Sequence, residues 1–225
     1  MNALRATALS RHLTRIWRLR ISHPSEDILQ FADDIHAAFH RLLYHPDASI
    51  VFASVFEEFL IVPVGTIFGA RNSPSFFCLL SELRAHVASV GSLRPDNELE
   101  HLTPLARRVR LAEPPSAAER AALVPAVADA CHQGVPPALQ SRYHNSTFVD
   151  DNGIAELASR ILGAIDNSVR SAYTIFGAPE SDRRTSGLSD DKWHDYSSHV
   201  MTYLGFLIDT RRLCMSWPAD KRVQL

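Results

Sequence analysis

The residues best suited to chemistry are Asp150 and Asp151, adjacent acids in the stretch HNSTFVDDNG from His144 to Gly153. Ser146, Thr147, Phe148 and Val149 before them are small, β-branched or aromatic, as a strand requires. Asn152-Gly153 after them is expected to supply the positive-φ residues of a tight hairpin. Two neighbouring carboxylates at a turn repel each other, and a divalent cation between them is the simplest relief. Ordinary surface turns use the same residue types, so the case depends on what else the chain provides.

A second acidic point lies at the end of ILQFADD, Ile28 to Asp34, which reads as a short strand. Ile35, Ala38, Phe39, Leu42 and Leu43 then recur at helical spacing, predicting an amphipathic helix closed by His45-Pro46. An acid at the end of a buried strand, where a helix begins, can hold a metal or cap the helix. His36 and His40 share the i, i+4 spacing of a zinc pair but lack the intervening Glu and a third ligand, so no zinc site is assigned. His194 and His199 are five apart and receive no role.

Other elements must position these acids. The first 25 residues carry Arg5, Arg11, Arg15, Arg18 and Arg20 with no acid before Glu26, which suits a presequence or a basic segment lying on phosphates. Trp17, Leu19 and Ile21 alternate with Arg18 and Arg20, predicting a short strand ended by Pro24. Residues 50–62 read as a strand pair turning near Glu57-Glu58. Gly65 and Gly69 permit close backbone approach to a ligand. Ser73 is expected to cap a helix starting at Pro74, whose buried face would be Phe76, Leu79, Leu80, Leu83, Val87 and Val90, with Gly91 as the stop. Ser116 and Glu119 form a capping box, and Pro125 should kink the helix that follows. Ile154, Leu157, Ala158, Ile161, Leu162, Ile165 and Val169 predict one long amphipathic helix behind the hairpin. A polar loop, Gly177 to Asp191, leads to Lys192-Trp193.

Composition narrows the class. With 225 residues and 46% hydrophobic content the chain can bury a large core. Lys+Arg 23 against Asp+Glu 25 gives a formal charge of -2, which offers no support for a nucleic-acid partner. Cys78, Cys131 and Cys214 are odd in number and far apart, fitting a reducing compartment such as cytoplasm or nucleus. No apolar run approaches the ~20 residues of a membrane span, so a soluble chain with no membrane partner is expected.

In order and form, these pieces resemble the palm of reverse transcriptases of the retrotransposon type. DIHAAF, Asp34 to Phe39, is similar to the first palm motif: an Asp, a small residue four later, and an aromatic. FGARNSPSFF, Phe68 to Phe77, resembles the second, F-G-x-x-N-A/S-P-x-x-F, and FVDD, Phe148 to Asp151, the third. YLGFLID, Tyr203 to Asp209, resembles the hairpin that grips the primer end, with Lys221 in place of the lysine that often follows it. The resemblance covers residues 28–77 and 144–221.

It implies an α+β polymerase palm, a sheet backed by helices, divided as follows: a basic segment 1–27 where fingers would stand, a first palm part 28–77, a mainly helical insertion 78–143, and a second palm part 144–225. Fingers would be reduced and a thumb absent, so partner domains (fingers, thumb or ribonuclease H) would belong to a longer polyprotein. The implied activity is RNA-directed DNA synthesis by two-metal nucleotidyl transfer. Asp34, Asp150 and Asp151 would hold Mg²⁺ or Mn²⁺, and Lys192 would approach the leaving pyrophosphate as a general acid or charge stabiliser. Ile35 would offer its backbone carbonyl, and Phe39 would lie beneath the incoming sugar. Gly69, Asn72, Ser73, Pro74, Leu204 and Gly205 would contact substrate. RNA or DNA template-primer and deoxynucleoside triphosphates would be the partners. The alternative is a palm that no longer polymerises and serves as a nucleic-acid-binding or protein-interaction module.

Overall fold

A computed structural model describes residues 2–66, 73–91, 99–119, 121, 145–178, 187–189 and 192–222. Its architecture is α+β with small antiparallel sheets. The central sheet has the order β1-β5-β4, from β1 (Ile28–Asp34), β4 (Asn145–Phe148) and β5 (Asp151–Leu157). Short hairpin strands β2 (Ser54–Phe56) and β3 (Phe59–Ile61) form a second sheet, and β6 (Val200–Tyr203), β7 (Phe206–Asp209) and β8 (Cys214–Ser216) a third. The helices that bear on the site and its supports are α1 (Asn2–Ser22), the single turn α2 (Pro46–Ser49), α3 (Ser73–Val90), α4 (Pro104–Arg108), α5 (Ile161–Phe176) and the short turn α6 (Ala219–Arg222).

Helix α1 lies against β4 and β5, while α3 and α5 pack together behind the same sheet. Both faces are therefore covered, which explains why β1 and β5 are buried almost throughout instead of alternating. Leu29, Phe31, Phe77, Ile154, Ile161 and Ile165 form the larger core. Ala8, Ile16, Ala155, Tyr203 and Ile208 form a second core beneath α1.

Several expectations are corrected. The strand at Trp17–Ile21 is part of α1, because Ala8, His12, Ile16 and Leu19-Arg20 are the buried residues and their spacing is helical. Three of the N-terminal arginines have partners within the chain: Arg15 pairs with buried Glu156, Arg11 with Glu82 at the surface, and Arg20 donates to the carbonyls of Pro24 and Glu26. The helix expected from Ile35 shrinks to a 3₁₀ turn, Ala38–Arg41, preceded by Ala37 at φ 49. Neighbouring backbone has claimed its first amides, since Ile35 N–H donates to the Asp150 carbonyl and His36 N–H to Gly187.

Helix α3 is rotated from expectation. Phe76, Leu79, Leu83 and Val90 are exposed, and the buried face is Ser73, Phe77, Ser81, Arg84, Ala85 and Ala88. The long helix expected from Ile154 begins at Ile161, because Ile154 and Leu157 belong to β5. The expected division at 77/78 falls inside unbroken α3, and Leu102, Leu105, Ala106 and Val109 join the main core. The Glu57-Glu58 turn and the Ser116–Glu119 capping box form as expected. Pro125 lies outside the described residues.

Gly153 does not make the turn. It sits inside β5 beneath the Tyr203 ring, which a Cβ at this position would meet at 2.9 Å. Tyr203 is buried, donates its hydroxyl proton to the Ser146 carbonyl and cannot withdraw. Gly153→Ala should therefore overpack this contact and cost about 1–3 kcal/mol, read as a lower denaturant midpoint at unchanged m-value.

Candidate active site

The hairpin turn between β4 and β5 is the two-residue pair Val149-Asp150, since Phe148 and Asp151 face each other in the register. Val149 takes φ 55, a left-handed conformation that a β-branched residue adopts only under constraint. The constraint is visible: the Ser81 hydroxyl, from the buried face of α3, donates to the Val149 carbonyl.

The central register then places Asp34 directly opposite Asp151. Asp150 is tied to the same point, because its carbonyl receives the Ile35 amide at 3.3 Å. Lys192 reaches across from the segment after the polar loop, with Nζ 2.6 Å from Asp34 Oδ2. The Asp34 backbone carbonyl also accepts the Ser189 amide at 2.9 Å, fixing that segment to the end of β1.

Beside these groups lies a cavity of about 350 Å³, lined by Asp34 through His40, Asp150, Ser189 and Lys192. Phe39 borders it while leaning edge-on against buried Phe77, with ring centroids 5.9 Å apart. Ile35 is buried at the cavity floor and bridges to Leu188. Of the expected site residues, Asp34, Ile35, Phe39, Asp150 and Lys192 converge here, with Asp151 across the strand. Ser73 and Pro74 open α3, and Leu204-Gly205 form the positive-φ turn of the β6–β7 hairpin. None of these four lines the cavity. Gly69 and Asn72 lie outside the described residues. Gly65 approaches the His40 backbone, where a Cβ would come within 2.7 Å of the carbonyl oxygen, and so is needed for chain packing.

Burial pushes the Asp34 carboxyl above its ordinary value; the Lys192 hydrogen bond opposes this, and nearby Asp150 and Asp33 add to it. Hydrogen bonding to Asp34 pushes Lys192 up, assisted by Asp150 and Asp151. Among the described residues no group of three or more His, Cys, Asp and Glu is already gathered around one point. Surplus negative charge met on one side by an ammonium is nevertheless a donor set of hard oxygens that suits Mg²⁺ or Mn²⁺.

A pH dependence follows. Where the folded acid has a raised value, the unfolded chain releases its proton first, so unfolding free energy falls slightly as pH climbs through that interval. Cation binding at Asp34 should weaken as pH falls through the same interval. Manganese titrations and thermal melts at stepped pH from about 4 to 7 should show the two trends with opposite sign.

Comparison with protein-family models, with curated proteins and with solved structures gave no match. The chemistry therefore has to be argued from the chain's own residues.

Four of those residues were given no such part in the reading of the sequence. Asp33, beside Asp34, points to the opposite face and is buried against Arg84, with Nη2 to Oδ1 at 2.6 Å. Ser81 and Arg84 share a helix face with Ala85 and Ala88, a small-and-polar stripe overshadowed by the more hydrophobic one beside it. His199, given no role, is buried and pairs with Asp27 at 2.6 Å.

Proposed function

We propose that this chain is a polymerase palm of the reverse-transcriptase type that carries out RNA-directed DNA synthesis. The observation carrying this reading is the register that sets Asp34 opposite Asp151, beside the Asp150 turn and a cavity of nucleotide-binding size. Asp34, Asp150 and Asp151 would hold the divalent ions. When bound, these supply Lewis-acid activation of the primer hydroxyl and neutralise the triphosphate. Lys192 stays protonated beside Asp34 and can offer a proton or a positive charge to the leaving oxygen. Phe39 lines the same cavity as Asp34 and is the ring against which a sugar would rest.

The test is primer extension on poly-rA/oligo-dT with Mg²⁺ or Mn²⁺, beside an Asp150→Asn control. Metal-dependent extension lost in the control supports the reading; none in either chain, with partner domains supplied, overturns it. A narrower expectation concerns Phe39→Ala, which should raise ribonucleotide relative to deoxynucleotide incorporation. An unchanged ratio would leave Phe39 with only its packing against Phe77.

A second reading, a non-polymerising interaction module, is favoured by one observation. The β2–β3 hairpin presents Val55, Phe56, Phe59, Leu60 and Ile61 to solvent, each at least half exposed, and exposed apolar area of this kind marks protein contacts.

A further inference from the structure

We infer that Arg84 is the positioning residue that decides which acid of the Asp33-Asp34 pair faces the cavity. This rests on the reading of Asp34 as a metal-holding acid. Successive side chains of a strand point to opposite faces, and a slip of one residue exchanges them. Ordinarily an apolar-in, polar-out alternation prevents such a slip. In β1 it cannot, because both faces are covered: Leu29 and Phe31 enter the main core, while Ile28 on the other face packs with Leu19 and Leu157. The strand then ends in two chemically identical side chains. Something outside the hydrophobic pattern has to distinguish them.

Arg84 does so. Its Nη2 donates to Asp33 Oδ1 at 2.6 Å and to Ser168 Oγ at 2.8 Å. Asp33 Oδ2 accepts from Ser168 Oγ and Asn152 Nδ2, each at 3.0 Å, and Asn145 Nδ2 donates to Ser168 Oγ at 3.0 Å. All five residues are buried, and they join α3, α5, β1, β4 and β5. Two of the network's members, Asp33 on β1 and Asn152 on β5, are register partners adjacent to the Asp34–Asp151 pair. The guanidinium thus holds Asp33, one residue from the site, on the core face and leaves Asp34 on the cavity side.

A different anchor secures the middle of β1. Gln30 Nε2 donates to the carbonyls of His199 and Ile208 at 3.0 and 3.1 Å, and its Oε1 meets His12 Nε2 at 3.0 Å. Gln30 keeps the strand in the sheet; Arg84 sets its catalytic end. Loss of Arg84 should therefore loosen the acid edge while leaving the distant hairpins intact.

The test uses the full chain carrying D33N and R84M together, which removes the ion pair without stranding a buried charge. Amide exchange at Ile35 and Ser189, which donate to the Asp150 and Asp34 carbonyls, reads the edge without metal. Manganese binding by electron paramagnetic resonance reads the acids. We expect a cooperative melt, about tenfold faster exchange at those two amides with β6–β7 unchanged, and about tenfold weaker manganese binding, the scale on which supporting residues act on a metal site. Wild-type exchange at both amides in the folded double variant would overturn the inference. Should wild type bind no manganese while the two amides still accelerate in the variant, the positioning stands and the metal-holding assignment falls. If the double variant does not fold, R84K, which keeps the charge with a single donor point, is read in its place: faster exchange at the same amides supports the inference, unchanged exchange overturns it.

Discussion

Asp150→Asn should reduce metal-dependent primer extension by about a hundredfold or more, because a carboxamide cannot neutralise cations and preorganised charge of this kind is typically worth that much. Asp34→Asn should do the same. The two differ in the metal-free protein. Asp150 helps push the neighbouring Asp34 carboxyl up, so its neutralisation relieves repulsion, and melting temperature should hold or rise. Asp34 is the partner of Lys192, whose side chain is 61% exposed. The Asp34 side chain is itself only 10% exposed, so Asp34→Asn gives up the Lys192 ion pair but relieves a carboxylate that burial already disfavours, and the melting temperature should change little. Single-turnover extension beside thermal melts of both variants measures this; full activity in either one would remove that residue from the metal set.

Arg84→Met alone should be the most destabilising single change named here. The Arg84 and Asp33 side chains are 2% and 1% exposed, so removing the guanidinium leaves a carboxylate buried without its counter-ion. Breaking one side of a buried pair costs about 3–5 kcal/mol, and for a chain of this size that is a fall of about 10 °C in melting temperature. Adding Asp33→Asn should recover most of it, since replacing both partners removes the stranded charge. Denaturant melts of the two singles and the double form the cycle. A loss below about 1 kcal/mol for Arg84→Met would mean that water reaches Asp33 and that the network is not the buried lock its geometry describes.

How much could be read beforehand varies with the kind of signal. The strand Ile28–Asp34 and the Glu57-Glu58 hairpin were legible because their signals are local, and the Leu204-Gly205 turn through the resemblance of YLGFLID to a family hairpin. So was the convergence of Asp34, Asp150 and Lys192, though on resemblance more than on any rule of spacing. The failures share a cause, which is long-range competition for a local preference. The Trp17–Ile21 alternation yields to a helix whose buried residues start at Ala8. The Asn152-Gly153 turn signal yields to Val149-Asp150, held by a hydroxyl from α3. The most apolar stripe of α3 faces out because Ser81 and Arg84 have partners within. Propensity is a weak prior when a buried polar group has somewhere specific to go.

The opposed directions of Asp33 and Asp34 bear on any survey of substitutions across this chain. Both positions should score as intolerant, and from depth of damage alone they would look like one functional dyad. Their intolerance has different origins: at Asp33 a change harms abundance and can be offset by a second change at Arg84, whereas at Asp34 it leaves abundance alone and has no such suppressor. Scored for expression and for activity in parallel, the two neighbouring letters would separate into a scaffold position and a chemical one.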